Sequence, residues 1–123
     1  MKLEVGQFAR LKSGYICKII NINDFREPNM KYGVEASYLR DVMFIGDDDV
    51  AKASYNIIDI LEVGDYVNGN KVIEIEKNYK FIDGTIRDIL WTDTKMQKAI
   101  WDETIKSIVT KEQMEQMAYK VGE

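Results

Sequence analysis

The sequence contains no histidine, one cysteine and one proline, and each scarcity excludes a class of protein. Without histidine, the usual imidazole base of catalysis is missing and the common zinc ligand sets cannot be assembled. A lone Cys17 cannot form an intramolecular disulfide, so we expect a reducing cytoplasmic compartment. One proline and eight glycines among 123 residues exclude collagenous and proline-rich disordered chains.

Long apolar runs and a strong charge imbalance are missing as well. Residues 1–6 lack the apolar core of a signal peptide, and no window approaches the roughly 18 apolar residues of a membrane span. The net charge is -4, which repels duplex nucleic acid at long range. A length of 123 residues with 46% hydrophobic residues predicts one folded domain, 1–123, with no membrane partner.

Strand and turn signals dominate what is present. Residues 5–22 alternate about a Ser-Gly turn and predict a β-hairpin whose second strand is covered on much of both faces, with Cys17 in the core. The Asn-Gly-Asn run at 68–70 predicts a second hairpin, and an Asp-Gly turn within 79–91 predicts a third. The fold class that follows is mainly β, a small twisted barrel or sheet built from hairpins.

Between the first two hairpins the alternation of apolar and polar residues is less regular. Residues 23–33 concentrate turn-forming residues and predict a long loop, in which Arg26 either contacts a partner or is simply solvated. Residues 39–45 and 50–55 are expected to be strands. The aspartates at 47–49 between them form either a solvated turn or a metal site, although they lack the ligand spacing of a calcium loop.

The stretch 54–75 carries the densest pattern. Asn56 is expected to cap a single helical turn whose apolar side chains plug one end of the barrel. We expect Gly64 to adopt unusual dihedral angles or allow close backbone approach, and Asp65 to accept hydrogen bonds from backbone amides. The strand at 71–76 is predicted to be buried on both faces.

An apolar-Gly-polar-aromatic unit occurs at residues 4–9 and again at 62–67. Beyond the turn, residues 15–19 align with 71–75. These matches predict a two-fold hairpin repeat, with units of about 4–22 and 62–76, or else a chance similarity between two hairpins.

The C-terminal part is predicted to contain a strand at 103–109 and one short helix at about 110–117. Thr110 and Gln113 have the spacing of a capping box. Met114 and Met117 are expected to dock the helix on the sheet, and residues 118–121 to finish as an edge strand.

With the blocks at 57–69 and 105–113 and the hairpin at 5–20 in view, the chain resembles small proteins encoded by phages and prophages of low-GC Gram-positive bacteria. The resemblance spans about half of the chain. It implies a protein of the bacterial host cytoplasm with an accessory or counter-defence role. It implies no particular catalytic or binding residue.

The candidate binding residues are the large aromatics and arginines. A nucleotide ligand needs an aromatic face for the base and a guanidinium for the phosphate, which Arg26, Phe81, Arg87, Trp91 and Trp101 can supply. Arg10 and Arg40 are alternative guanidinium groups. The same aromatic residues, together with Tyr79, can instead belong to the core or to an oligomer interface.

No nucleophile motif, glycine-rich phosphate loop or carboxylate metal set is present, so we expect neither an enzyme nor a cofactor. The leading hypothesis is a phage accessory protein that binds and inhibits or sequesters a host protein or a small nucleotide ligand. An inhibitor of a bacterial defence enzyme and a sponge for a nucleotide signal are both counter-defence roles. The alternative is an oligomeric virion or assembly component.

Overall fold

The computed structural model describes residues 2–36, 41–94 and 99–118. Contacts divide the chain into two compact units, an N-terminal unit of Met1–Ile60 and a C-terminal unit of Leu61–Glu123. Each unit contains an antiparallel five-stranded sheet, and the C-terminal unit adds a short α-helix. The mainly-β prediction with one short C-terminal helix is confirmed, and the strands form two sheets that do not close into a barrel. None of the helices in the described ranges has the length and apolar character needed to span a bilayer.

The N-terminal unit is a meander with one return. Its strands are β1 (Phe8–Leu11), β2 (Ile16–Ile22), β3 (Tyr32–Glu35), β4 (Met43–Ile45) and β5 (Val50–Ser54). Short 3-10 helices occupy Pro28–Met30, Asp47–Asp49 and Ile57–Ile60. The sheet has the order β4-β3-β2-β1-β5, so the last strand returns to pair with the first.

The first predicted hairpin is confirmed, with Ala9 opposite Cys17 across β1 and β2. Cys17 lies in the core, at 3% exposure, beside the fully buried Ile19. The alternating residues Ile16 and Ile20 are only half-buried. The second face of this strand is therefore only partly covered, and the apolar core of the unit packs on the face that carries Cys17 and Ile19.

The strand β3 begins inside the predicted loop at 23–33. Tyr32 and Val34 are buried at 2% and 0% exposure, and Gly33 between them sits in the middle of the strand. In the sequence this glycine looks like a turn signal, but here it serves the close packing of neighbouring strands. The strand predicted at 39–45 is observed as β4, and its predicted residues 39 and 40 lie outside the described residues.

The aspartate run forms the predicted turn, as the 3-10 helix Asp47–Asp49. The Tyr32 hydroxyl donates to Asp47 Oδ1 at 2.7 Å, and the Gly46 N–H donates to Asp49 Oδ2 at 2.9 Å. In the described part of the chain, no three cysteine or acidic side chains are grouped to hold a metal ion. Asp47 thus bonds the neighbouring strand and Asp49 closes the turn.

The turn predicted at Asn56 is also observed. The Asn56 side chain accepts from the Ile58 N–H at 3.1 Å, which caps the 3-10 helix. Ile58 and Ile60 are buried, and Arg10, 1% exposed, donates to the Ile60 carbonyl at 3.1 Å. Arg10 is thus a structural residue that holds the end of this turn. Because the sheets do not close into a barrel, the turn is not the barrel plug that the sequence predicted.

The C-terminal unit contains five further strands, several of them very short. They are β6 (Tyr66–Val67), β7 (Asn70–Lys80), β8 (Ile86–Thr92), β9 (Ala99–Ile100) and β10 (Ile108–Val109). A 3-10 helix at Asp102–Thr104 precedes β10, and the helix α1 (Lys111–Met117) follows it. The sheet order is β10-β6-β7-β8-β9.

Both hairpins predicted in this unit are confirmed. Asn68 and Gly69 have φ angles of 53° and 81° in the two-residue turn between β6 and β7. Gly84, with φ 89°, turns the chain between β7 and β8. These are the left-handed conformations that Asn and Gly tolerate best.

Gly64 and Asp65 also behave as expected. Gly64 has a φ of 101°, and Asp65 is fully buried. The Asp65 carboxylate accepts from the Glu62 N–H at 2.7 Å and from the Lys111 N–H at 2.9 Å. One side chain therefore links the start of β6 to the start of α1.

Burial in this unit differs from the sequence expectation. Ile73 is 46% exposed, so β7 is not buried on both faces. The strand predicted at 103–109 is reduced to β10, since its first residues form a 3-10 turn.

The helix α1 begins with the predicted capping box, in which Thr110 and Gln113 exchange backbone-to-side-chain hydrogen bonds at 2.9 and 3.2 Å. Met114 and Met117 are 38% and 67% exposed, so they do not dock the helix on the sheet. The helix has seven residues, about two turns, and its two methionines, three positions apart, share a face that is largely open to solvent. Most of the predicted edge strand at 118–121 lies outside the described residues.

The glycines of the two aligned segments make matching backbone hydrogen bonds. The Gly6 N–H donates to the Ile19 carbonyl at 2.7 Å, and the Gly64 N–H donates to the Val72 carbonyl at 2.9 Å. Both glycines have positive φ angles, of 96° and 101°. Ile19 thus corresponds to Val72, whereas the sequence alignment had placed it on Ile75, because the turn of the second hairpin is shorter than the alignment assumed.

The polar residue after each glycine has the same role in both units. Gln7 Oε1 accepts from the Glu4 N–H at 2.9 Å, as Asp65 Oδ2 accepts from the Glu62 N–H. The correspondence continues through every strand, because β1 to β5 and β6 to β10 have the same order in their sheets. A 3-10 helix also precedes the last strand of each. The chain therefore repeats one five-stranded topology twice.

Candidate partner-binding surface

Four aromatic side chains of the C-terminal unit form a connected cluster, called the aromatic surface below. Tyr79 contacts Phe81 and Trp91, with ring centroids 5.2 and 6.1 Å apart. Phe81 contacts Trp101 at 6.1 Å. All four side chains are half-buried, so they present apolar area to solvent while being fixed by one another.

The hairpin of β7 and β8 brings these rings to one face. Leu90 and Thr92 are fully buried, so Trp91 between them lies on the opposite face of the sheet. A bulge between Glu76 and Tyr79 interrupts the pairing of β7 with β8. Such a bulge changes which face the following side chains occupy, and it places Tyr79 beside Trp91.

Charged side chains border the aromatic surface. The Arg87 guanidinium lies over the Trp101 ring, 5.6 Å from its centroid, and pairs with Glu103 at 3.7 Å. The Trp91 indole N–H donates to Glu76 Oε1 at 2.9 Å. An apolar centre with hydrogen-bonded charges at its border is the anatomy of a protein interface.

The ring orientations limit what the surface can bind. The three ring pairs cross at 73°, 80° and 78°, so each ring covers the edge of its neighbour. No two of these contacting rings face each other in parallel, as a pair that sandwiches a nucleotide base would. The rings present a broad apolar face.

The structure brings together four of the five predicted binding residues. Trp101 contacts both Phe81 and Arg87, and Trp91 joins them through Tyr79 and Phe81. The fifth, Arg26, belongs to the N-terminal unit and lies over Phe44, 4.5 Å from the ring centroid. The alternative arginine at position 40 lies outside the described residues.

Sequence reasoning did not single out Phe44, Glu76 or Glu103 as site residues. Phe44 is far from Arg26 along the chain, and only the pairing of β3 with β4 brings that ring to the loop. Glu76 alternates with other charged residues on β7, so its bond to Trp91 leaves no sequence signal.

Cys17 has the environment of an inert core thiol. Its Sγ lies 3.7 Å from the Ala9 carbonyl, and burial raises its pKa from 9.0 to about 11. A thiolate is the nucleophilic form, so this shift opposes reactivity at neutral pH.

Comparison of the chain with protein-family models, curated proteins and solved structures finds no match. The interpretation of the aromatic surface therefore depends on its geometry.

Proposed function

We propose that this protein is a non-enzymatic binding module whose aromatic surface holds a partner protein. In the phage setting implied by the sequence resemblance, the partner is a host component that the protein inhibits or sequesters. This role is that of a counter-defence protein acting in the bacterial cytoplasm.

The observation that carries the proposal is the half-buried cluster of four rings with Arg87 stacked at its border. Tryptophan, tyrosine and arginine dominate the binding energy of protein interfaces. Rings already fixed by edge-to-face contacts lose little conformational freedom when a partner covers them. The surface is thus preorganised for a broad apolar contact.

The same geometry favours a protein over a nucleotide as the ligand. The crossed ring planes offer no parallel slot for a base, and the Arg87 guanidinium already pairs with Glu103. A nucleotide phosphate would compete with that carboxylate. A protein segment needs neither a slot nor a free guanidinium.

The proposal is tested by capturing the partner from a Gram-positive host lysate with the wild-type protein and then purifying it. We expect Trp91→Ala and Phe81→Ser to weaken the affinity for the purified partner by about 30-fold or more, as loss of a hot-spot residue does. Met117→Ser, which alters an exposed apolar residue of the same unit, is the matched control and should bind like wild type. Equal affinity for all four proteins would refute the aromatic surface as the binding site.

A thermal-unfolding screen separates the nucleotide alternative. Tight binding to the native state raises the melting temperature, so a nucleotide sponge must be stabilised by its ligand. We expect no shift with a panel of linear and cyclic nucleotides. A clear shift with one nucleotide, abolished by Arg87→Gln, would replace a protein partner with a nucleotide ligand.

A further inference from the structure

The repeated topology allows the outer faces of the two sheets to be compared position by position. In the N-terminal unit, Asn21 lies opposite Gly33, which lies opposite Phe44. The corresponding positions of the C-terminal unit are Glu74, Trp91 and Ala99, and they pair in the same way. Both units also interrupt the pairing of their second and third strands at the same place.

A large ring occupies this outer face in both units, on the third strand of one unit and on the fourth strand of the other. Trp91 stands on the third strand opposite the small Ala99, whereas Phe44 stands on the fourth strand opposite Gly33. A Cβ at Gly33 would lie 3.6 Å from the Phe44 ring and 3.3 Å from Val42. The glycine thus leaves the space that Phe44 and Val42 use.

An arginine lies over a ring in both units. Arg26 comes from the β2–β3 connection and stacks over Phe44, and Arg87, at the start of β8, stacks over Trp101. Each connection also presents a large apolar residue fully to solvent, Phe25 at 101% and Ile82 at 109% exposure. The N-terminal unit therefore has its own set of exposed apolar residues around an arginine, namely Phe25, Arg26, Val42 and Phe44, called the Arg26 surface below.

The hydrogen bonds of Arg26 are incomplete. Its Nη2 donates to Asn21 Oδ1 at 2.6 Å, while its Nη1 is shielded from water and finds no acceptor within the described residues. A buried donor left without an acceptor destabilises the folded protein, and more so when the group is charged. An acceptor supplied by a partner, once the side chain turns toward it, recovers that energy on binding.

The chemistry of the guanidinium identifies the acceptor. Its planar fork matches a carboxylate, and charge-assisted bonds to a carboxylate are about twice as strong as neutral ones. A nucleic acid carries many phosphates, so a protein of net charge -4 repels it more strongly than it repels a peptide with a single carboxylate. Phe25, next to Arg26 in the chain, and Val42, which like Phe44 lies over Gly33, are both exposed and favour an apolar group next to the acid.

We propose that the Arg26 surface is a second binding site, which takes a protein segment that presents a carboxylate next to an apolar side chain. The two sites then occupy corresponding faces of the repeated sheets. The Arg26 surface is independent of the aromatic surface, so either can fail without the other.

The test uses a yeast-displayed library of random 12-residue peptides, selected against the full-length protein. We expect the selected peptides to contain Asp or Glu beside a Leu, Ile or aromatic residue. Their affinity should fall at least about 10-fold for Arg26→Lys, which keeps the charge but not the fork, and for Phe25→Ser. Trp91→Ala, which alters the aromatic surface, should leave the affinity for these peptides unchanged.

A second measurement does not depend on the variants. In a heteronuclear NMR titration with a selected peptide, the Arg26 Nε–Hε resonance should shift, and the peptide with its acid changed to the amide should not shift it. The proposal is overturned if no peptide is enriched, if the enriched peptides lack acids, or if they bind Arg26→Lys and Phe25→Ser as tightly as wild type. Displacement of the peptide by single-stranded RNA would assign the site to phosphate and overturn it as well.

Discussion

At the scale of single residues, Asp65 shows how one buried polar group organises a unit. Its two carboxylate oxygens accept from the Glu62 and Lys111 amides, so each oxygen faces a donor. Replacing Asp65 by asparagine would turn an NH₂ group toward one of those donors. We expect Asp65→Asn to lower the free energy of unfolding by about 2 kcal/mol or more, measured by urea titration.

The control for this prediction is Asp48→Asn, at an exposed position of an acidic turn. Surface substitutions away from special features usually change stability by less than about 0.5 kcal/mol. An Asp65→Asn protein as stable as the control would show that the carboxylate does not hold the start of β6 and α1 together.

The raised pKa of Cys17 has a defined consequence for stability. Because its folded pKa of about 11 lies above the ordinary 9.0, the thiol contribution is complete below pH 9 and is lost as the pH rises from 9 toward 11. Cys17→Val, which cannot ionise, should lose less stability over this interval than wild type.

Native protein should also react far more slowly with a thiol reagent at pH 8 than the urea-unfolded chain. Equal reaction rates would contradict the burial of this thiol.

At the scale of elements, Gly69 in the tight turn between β6 and β7 is needed for its backbone conformation alone. Gly69 has a φ of 81°, and a Cβ there would meet nothing within 4 Å. We expect Gly69→Val to cost about 1–2 kcal/mol, because a branched side chain strains the left-handed conformation. Gly69→Asn should cost clearly less, since asparagine tolerates this conformation. Equal urea midpoints for the two variants would disprove the conformational explanation.

The helix α1 should depend on its cap more than on packing. Thr110 is fully buried and its hydroxyl accepts from the Gln113 N–H at 3.2 Å, while Met117 is 67% exposed. We expect Thr110→Ala to lower the free energy of unfolding by about 1 kcal/mol and Met117→Ala to change it by less than about 0.5 kcal/mol. The reverse order would mean that the methionine stabilises the helix after all.

Features with local causes could be predicted from the sequence. The turn at Gly84, the Asn56 cap and the Thr110 capping box follow from a few neighbouring residues, because their chemistry is contained in the turn itself. The Asn-Gly turn was predictable as well, but the bonds of the Asn68 side chain to residues 104–107 were not. Features set by distant partners could not be predicted. The burial of β7, the position of β3 and the exposure of Met117 depend on which face of each sheet carries the core.

The candidate surfaces show the same division. The aromatic surface comes from one hairpin and the residues after β9, so its members are near one another in sequence and could be grouped from it. The contact of Arg26 with Phe44 and its unpaired Nη1 could not, because they depend on the pairing of β3 with β4.

At the scale of the whole molecule, the chain repeats one sheet topology and carries an arginine-on-ring arrangement in each copy. The N-terminal half of each hairpin was predictable because glycine and its neighbours recur. The alignment of the second strands of the two hairpins was not predictable, because the two turns differ in length. Only the hydrogen bonds of Ile19 and Val72 show that these two residues correspond. This repetition places the two proposed binding surfaces on corresponding faces of the two sheets.

The most direct test of the central claim is amide hydrogen exchange of the protein with and without its purified partner. If the aromatic surface binds the partner, peptides covering β7, β8 and residues 99–103 exchange more slowly in the complex, and the Trp91→Ala protein shows no such protection under the same conditions. Protection confined to β6, β10 and α1, with β7 and β8 unchanged, would contradict the claim.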